Sequence, residues 1–260
     1  MEMVRELIEY RQLLYMMTWR DIKVRYKQSV MGFMWAIFMP MLIVAAGLLV
    51  KLAFSYVSGK SIDSSDMTSI LVKAVPWSFF IGSIRVCTTS LTSNSNLVTK
   101  IFFPREIFPL SAIAANLFDF MVASVAVIVI LAFANIGIST HILWLPFLLL
   151  VLVSFTAGVG MFLACANLFF RDVKYIVEAI LTFAIFFTPV FYEASLFGKW
   201  APLLLLNPVG AILESIRDVV IVHQSPDMMW LAYAVVSSVS ILMFSWVLFH
   251  RAEYMFAERI

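Results

Sequence analysis

The sequence predicts an all-α integral membrane protein: six transmembrane helices, an N-terminal amphipathic interface helix, and re-entrant helices before the last span. Three observations carry that expectation. Of the 260 residues, 63% are hydrophobic and 13% charged, against ~25% charged in an average soluble domain, and the mean hydropathy is +0.98. The apolar residues gather in runs near the ~20 residues that a helix needs to cross a bilayer. One further stretch, FAIFFTPVFYEASLFGKWAPLLLLNPVGAILESIRD at 183–218, is apolar but broken by Thr188-Pro189, Gly198, Pro202 and Asn207-Pro208. Its two later pieces are too short to cross. Non-helical backbone survives at membrane depth only against protein or a water-filled cavity, so this stretch is read as dipping into the membrane and lining a passage.

Residues 1–30 hold six of the 18 basic residues: Arg5, Arg11, Arg20, Lys23, Arg25 and Lys27. Val4, Leu7, Ile8, Leu14, Tyr15, Ile22 and Tyr26 share one helical face at ~100° per residue, interrupted by Arg11, Thr18 and Arg25. With Tyr10, Tyr15 and Trp19 added, such a helix suits a membrane surface. A plain topology anchor and a helix that also meets a partner both fit. The expected spans are 31–56, 70–91, 110–134, 143–166, 175–191 and 229–249. Pro40 is an expected kink in the first, and Gly158 and Gly160 soften the fourth. The whole chain, 1–260, is read as a single transmembrane domain. It divides into the interface helix (1–30), spans one to five (31–192), the re-entrant segment (193–227), span six (228–250) and a tail (251–260).

Six crossings put both termini on one side. That side carries 12 basic residues: six in 1–30, then Lys100, Arg105, Arg171, Lys174, Arg251 and Arg259. The other carries at most five, Lys51, Lys60, Lys73, Lys199 and Arg217. The positive-inside rule then places both termini in the cytoplasm and opens the 183–218 segment outward. No cleavable signal peptide and no internal repeat are visible. The basic residues are spread along loop ends, which gives no reason to expect a nucleic-acid partner.

Ionisable residues inside spans are functional candidates. Arg85, Asp119 and Glu178 fall at similar inner depth, which allows an intramembrane charge network. A registry-fixing pair, an ion relay and snorkelling all remain open. Cys87 and Cys165 read as packing thiols. His141, His223 and His250 lie far apart, so no metal site and no catalytic constellation are expected. No GxxxxGK[ST] phosphate loop is present. Energy for active transport must then come from an ion gradient or from another subunit.

Aromatic residues are the positive clue. Phe183, Phe187 and Phe191 recur at i, i+4 and i+8, with Phe186 and Tyr192 beside them, and Trp35, Phe38 and Trp77 can reach the same bundle. Lipid-facing or core packing is the plain alternative. A lining of rings suits a sugar chain, whose C–H faces stack on aromatics while its hydroxyls stay wet. Beyond Pro208, a favoured first-turn residue, Val209, Ile212, Leu213, Ile216, Val219 and Val220 share one face. Glu214 and Asp218 lie off it, which predicts an amphipathic helix in the outer leaflet or a simple exposed cap.

Three segments in order carry a resemblance: YRQLLYMMTWRDIKVRYKQSVMGFMWAIFMP, NLVTKIFFPREIFPLS, and TPVFYEASL…NPVGAILESIRD. Together they resemble the permease subunits of ATP-binding cassette polysaccharide exporters of the O-antigen, capsule and teichoic-acid type. The resemblance implies a half-channel in a bacterial inner (cytoplasmic) membrane that pairs with a second copy of itself and two copies of a separate ATPase. ATP and Mg would sit on that partner, with no cofactor on this chain. It implies that 98–108 docks on the ATPase through Lys100, Pro104, Arg105 and Glu106, and that 167–174, with Arg171 and Asp172, makes a smaller contact. It places Trp19, Arg20, Asp21, Lys23 and Arg25 on the interface helix. The outer gate would hold Pro189, Tyr192, Asn207, Pro208 and Glu214. The expected cargo is a lipid-linked polysaccharide, with O-antigen the first expectation. A drug or lipid exporter of the same fold, an ion-coupled secondary carrier, and a non-transporting scaffold remain as alternatives.

Overall fold

A computed structural model describes residues 2–27, 29–58, 64–100, 103–137 and 139–256. Lys60 and Arg259, both counted in the charge bias, lie outside them, as do residues 101–102 of the expected docking loop and the side chain of Lys100. Regular structure among the described residues is helical throughout. The helices are α1 (Glu2–Glu9), α2 (Arg11–Tyr26), α3 (Met34–Ser58), α4 (Ser64–Ser93), α5 (Ser95–Lys100) and α6 (Ile107–Phe133). They continue with α7 (Leu145–Phe169), α8 (Val173–Phe187), α9 (Ala201–Leu205), α10 (Pro208–Arg217) and α11 (Met228–Ala252).

Five helices, α3, α4, α6, α7 and α11, are long and apolar enough to cross a membrane. The expected fifth span is the exception. α8 has 15 residues, ~22 Å of helix against a ~30 Å hydrocarbon core. Thr188-Pro189 stops it, because the residue before proline is pushed out of the helical region, and Thr188 is extended at φ −112°, ψ 134°. Phe191 therefore lies past a break, and the expected i, i+4, i+8 stripe ends at Phe187.

α4 is the most enclosed of the five long helices. It packs on α6, α7 and α3, and α7 packs in turn on α11. A Cβ on Gly158 would stand 2.7 Å from the backbone nitrogen of Leu242; bare glycine lets the backbones of α7 and α11 touch, the small-residue packing typical of membrane helices. Gly160, two residues on, faces Cys87 of α4, where a Cβ would meet the thiol at 3.1 Å. Both glycines of this span sit where α7 meets a neighbouring helix closely.

The N-terminal region is two helices where one was expected. It divides at Tyr10 into α1 and α2; Ile8 of α1 and Tyr15 of α2 are exposed, and Met17 and Ile22 of α2 are buried. α2 lies along the first half of α6 in parallel. Asp21 meets Ser111 and Arg25 meets Asn116, so the pairs advance in the same direction on both helices.

Two apolar cores result. The larger runs through the middle and the end formed by α9 and α10, here the far end. The smaller gathers Met17, Val98, Phe103, Phe108, Leu168, Phe249 and Phe256 at the end that carries both termini.

Candidate functional site

A cavity of about 710 Å³ opens into the bundle between α2, α3, α4, α6 and α8. Its walls are mostly apolar, with Trp35, Met39, Ile43, Phe79, Phe120, Leu181 and Phe191 among them, and Arg25, Arg85, Asn116 and Asp119 bring polarity and charge. Of the expected aromatic lining, Trp35 and Phe191 reach it. Phe38 stands edge-on to Trp35 at 5.5 Å, and Trp77 is buried against Phe80. Phe183 and Phe187 are 62% and 71% exposed on the outer face of α8. The aromatic set is thus split between a cavity wall, a core and a surface.

The expected three-membered charge network is two separate pairs. Arg85 grips Glu178 with two hydrogen bonds, Nε to Oε1 at 2.7 Å and Nη2 to Oε2 at 2.9 Å, the strong forked geometry of arginine and carboxylate. Asp119 instead accepts from Arg25 and from the Tyr26 hydroxyl, both on α2. Burial, with Asp119 beside it, holds the Tyr26 phenol well above its ordinary range. Arg25, expected to face the interface, is committed to α6. The signal for this was an acid, Asp119, with no base left for it once Arg85 and Glu178 are joined. The neighbours on α2 stay at the surface: Arg20 pairs with Asp21 at 2.8 Å, and Lys23 lies over the exposed Trp19 ring, 5.4 Å from its centroid.

At the far end every expected gate residue has a partner. Asn207 caps α10 by accepting from the Val209 amide at 3.1 Å, with Pro208 at the first helical position, a favourable start for a helix. Its Nδ2 donates to Thr188 Oγ1 at 2.9 Å, tying that start to the end of α8. Pro189 packs on Gly210, where a Cβ would stand 2.9 Å from the proline ring and 3.0 Å from the Leu204 carbonyl. Tyr192 donates its hydroxyl to the Phe186 carbonyl at 2.7 Å.

The residue that organises this end is Lys73, which sequence reading counted as an outer charge. It is 1% exposed inside α4. Its Nζ donates to the Tyr192 carbonyl at 2.6 Å and to Glu214 at 3.2 Å. Glu214 also accepts from the Ala194 amide at 3.3 Å, and Arg217 donates to Glu193 at 2.5 Å and to Asp218 at 3.1 Å. The polar face of α10 is therefore turned onto a buried lysine and packed. The signal was a lysine within the apolar run ILVKAVPW, where a charge needs a partner.

At the terminal end the docking candidates divide. Arg171 and Asp172 are exposed between α7 and α8, in a turn fixed where the Lys174 amide donates to buried Asn167 at 3.1 Å. Pro104 is half-buried, and its carbonyl accepts from Ile107 at 3.3 Å as α6 begins. Arg105 and Glu106 point inward. The Arg105 amide donates to Glu253 Oε1 at 3.0 Å, and its guanidinium to the Glu253 carbonyl at 2.5 Å and the Val98 carbonyl at 3.3 Å. Glu106 is buried beside His250 and Glu253. Burial, followed by the nearby Glu253 charge, raises its carboxyl above the usual range, while its own backbone and His250 oppose the shift. The three histidines lie far apart in sequence, but the fold sets one of them, His250, beside two carboxylates.

Multi-pass, all-helical, with ionisable side chains facing a cavity in the bundle, this is a protein of the membrane-permease class. The chain belongs to the ABC-2 type transporter family, whose profile matches residues 12–221. It is 31% identical over 262 aligned positions to the O-antigen export system permease protein RfbA of Myxococcus xanthus, covering 99% of both chains. Two RfbA proteins of the same description from Klebsiella pneumoniae are each 26% identical, over 95% of this chain and 94% of theirs. Membership of this permease family implies no nucleotide-binding or catalytic site on the chain itself.

Proposed function

We propose that the chain is the membrane subunit of an ATP-driven exporter that carries lipid-linked O-antigen polysaccharide across the bacterial inner membrane to the periplasm. The carrying observation is the end-to-end likeness to three O-antigen export permeases. Two copies would form the passage along a shared seam, with the exposed Phe183 and Phe187 of α8 available to line it. Two copies of an ATPase subunit, holding ATP and Mg, would drive it.

In this reading the short α8 is completed by 188–192 to give a sixth crossing, and 193–227 re-enters from the periplasmic side. Both termini are cytoplasmic. α2 is the interface helix, with Trp19, Arg20 and Lys23 at the surface and Arg25 anchoring it to α6. The ATPase meets the exposed Arg171 and Asp172 and the outer face of the 98–108 loop. Arg105 and Glu106 act from beneath, by stiffening that loop against the tail. ATP-driven closure of the partner would push the loop and α2 together, and Arg25 passes that push to α6 beside the cavity. At the far end, Lys73 and Arg217 hold the exit segment in place.

Deleting the chain in its host tests the reading. Lipid-linked polymer should accumulate inside the cell and surface polysaccharide should vanish, and the chain should co-purify with a Walker-motif ATPase. Normal surface polysaccharide in the deletion strain overturns it.

A further inference from the structure

We infer that Glu106, His250 and Glu253 form a binding site for one divalent transition-metal ion, with Zn²⁺ the best-matched, joining the 103–106 loop to the end of α11. The three ligand atoms, one from each side chain, all lie within 4.8 Å of one another. His250 Nδ1 stands 3.6 Å from Glu106 Oε1 and 3.8 Å from Glu253 Oε2. Both distances exceed a good hydrogen bond. They match a shared ion instead: atoms bound at ~2.1 Å to a tetrahedral Zn²⁺ stand ~3.4 Å apart.

A second observation points to a ligand independently. Glu106 is 3% exposed, yet its Oε2 has no hydrogen-bond partner among the described residues. A buried carboxylate with an oxygen left unpaired is costly, and a cation held on the carboxylate, whose Oε1 faces His250, would offset that cost. The division of Glu253 fits as well. Its Oε1 accepts from the Arg105 amide at 3.0 Å, which leaves Oε2 for the site. Two carboxylates and one imidazole are a donor set used by zinc and by manganese, with room for water at a fourth position. His250 lies on the half-exposed rim, which gives the ion an entry path.

The test uses the full-length chain in detergent, stripped with a chelator and dialysed against micromolar Zn²⁺, with bound metal measured by mass spectrometry. Titration with Co²⁺ in place of Zn²⁺ should give the visible bands of a low-coordinate site. One ion per chain is expected, with affinity reduced at least ~10-fold in Glu106→Gln and in His250→Ala, and unchanged in His141→Ala and His223→Ala. The half-exposed His250 makes its variant the safer one for folding, so it decides the matter where Glu106→Gln does not express. Zn²⁺ should also raise the melting temperature of the parent chain and leave that of His250→Ala unmoved. Zero stoichiometry in the parent, or equal binding in His250→Ala, overturns the assignment.

Discussion

The two ends of the bundle solve one problem in two ways. At the far end a buried lysine fastens the segment before the last helix to α4, and its contacts include a carbonyl as well as a carboxylate. At the terminal end an arginine fastens the 103–106 loop to the tail, and beside it a buried carboxylate oxygen stays unpaired. At the first, the lysine ties a carbonyl and a carboxylate of that segment to α4 and reads as a clamp, although Arg217 Nε beside it is itself unpaired among the described residues. At the second the unpaired atoms include a carboxylate oxygen, at the end where a partner and a ligand are proposed to act. A charge removed from the far end should therefore cost stability first, and one removed from the terminal end should cost coupling first.

The largest expected effect is at Lys73. Lys73→Met removes the lysine donor from the Tyr192 carbonyl and from Glu214, which keeps the Ala194 amide, a loss of about 3–5 kcal/mol for a broken buried pair. Thermal unfolding in detergent should show it as a large drop in melting temperature. Lys73→Met with Glu214→Leu should recover much of that drop, since a whole buried pair is often replaceable by apolar residues. A double variant no better than the single one removes the clamp.

Gly210→Ala comes next. The new methyl meets the Pro189 ring and the Leu204 carbonyl, and overpacking of this kind costs about 1–3 kcal/mol. The same melting assay reads it, and an unchanged melting temperature would mean that Pro189 is free to retreat. Arg105→Ala together with Glu106→Gln should cost less stability than Lys73→Met, with insertion retained. It should separate ATP hydrolysis from polymer export in the assembled complex; unchanged export rejects the proposed coupling role of this loop.

The smallest effects on stability are at the surface. Arg171→Ala and Asp172→Ala should each stay within about 0.5 kcal/mol, yet weaken co-purification of the ATPase; full recovery of the partner would place its contact elsewhere. Replacing Phe183 and Phe187 by alanine should leave melting nearly unchanged and lower export. Normal surface polysaccharide in that variant would return both rings to lipid-facing roles.

Much of this architecture was legible because it is local. Hydropathy locates the five long helices to within a few residues apart from the start of α4, which begins at Ser64 rather than near Ile70; Thr188-Pro189 announces the end of α8, and Asn207-Pro208 announces the start of α10. What escaped is what joins residues distant in the chain. Lys73 and Glu214 are 141 residues apart, and Tyr26 and Asp119 are 93. Neither separation leaves a periodic trace. The aromatic stripe failed for the opposite reason: i, i+4, i+8 spacing assumes an unbroken helix, and the proline inside it had already ended that helix. Glu106 and His250 were each noticed alone, but only the fold brings them into one cluster.

The Arg105 fastening also has a consequence for biosynthesis. Its partner Glu253 lies 148 residues further along the chain. At ~5–20 residues per second the ribosome delivers it roughly 7–30 s after the loop has emerged. Through that interval the loop has neither the Glu253 carboxylate nor the tail carbonyl to hold it. A chain halted within the last helix would never close this contact, so the finished terminal end is also a mark that synthesis of α11 is complete.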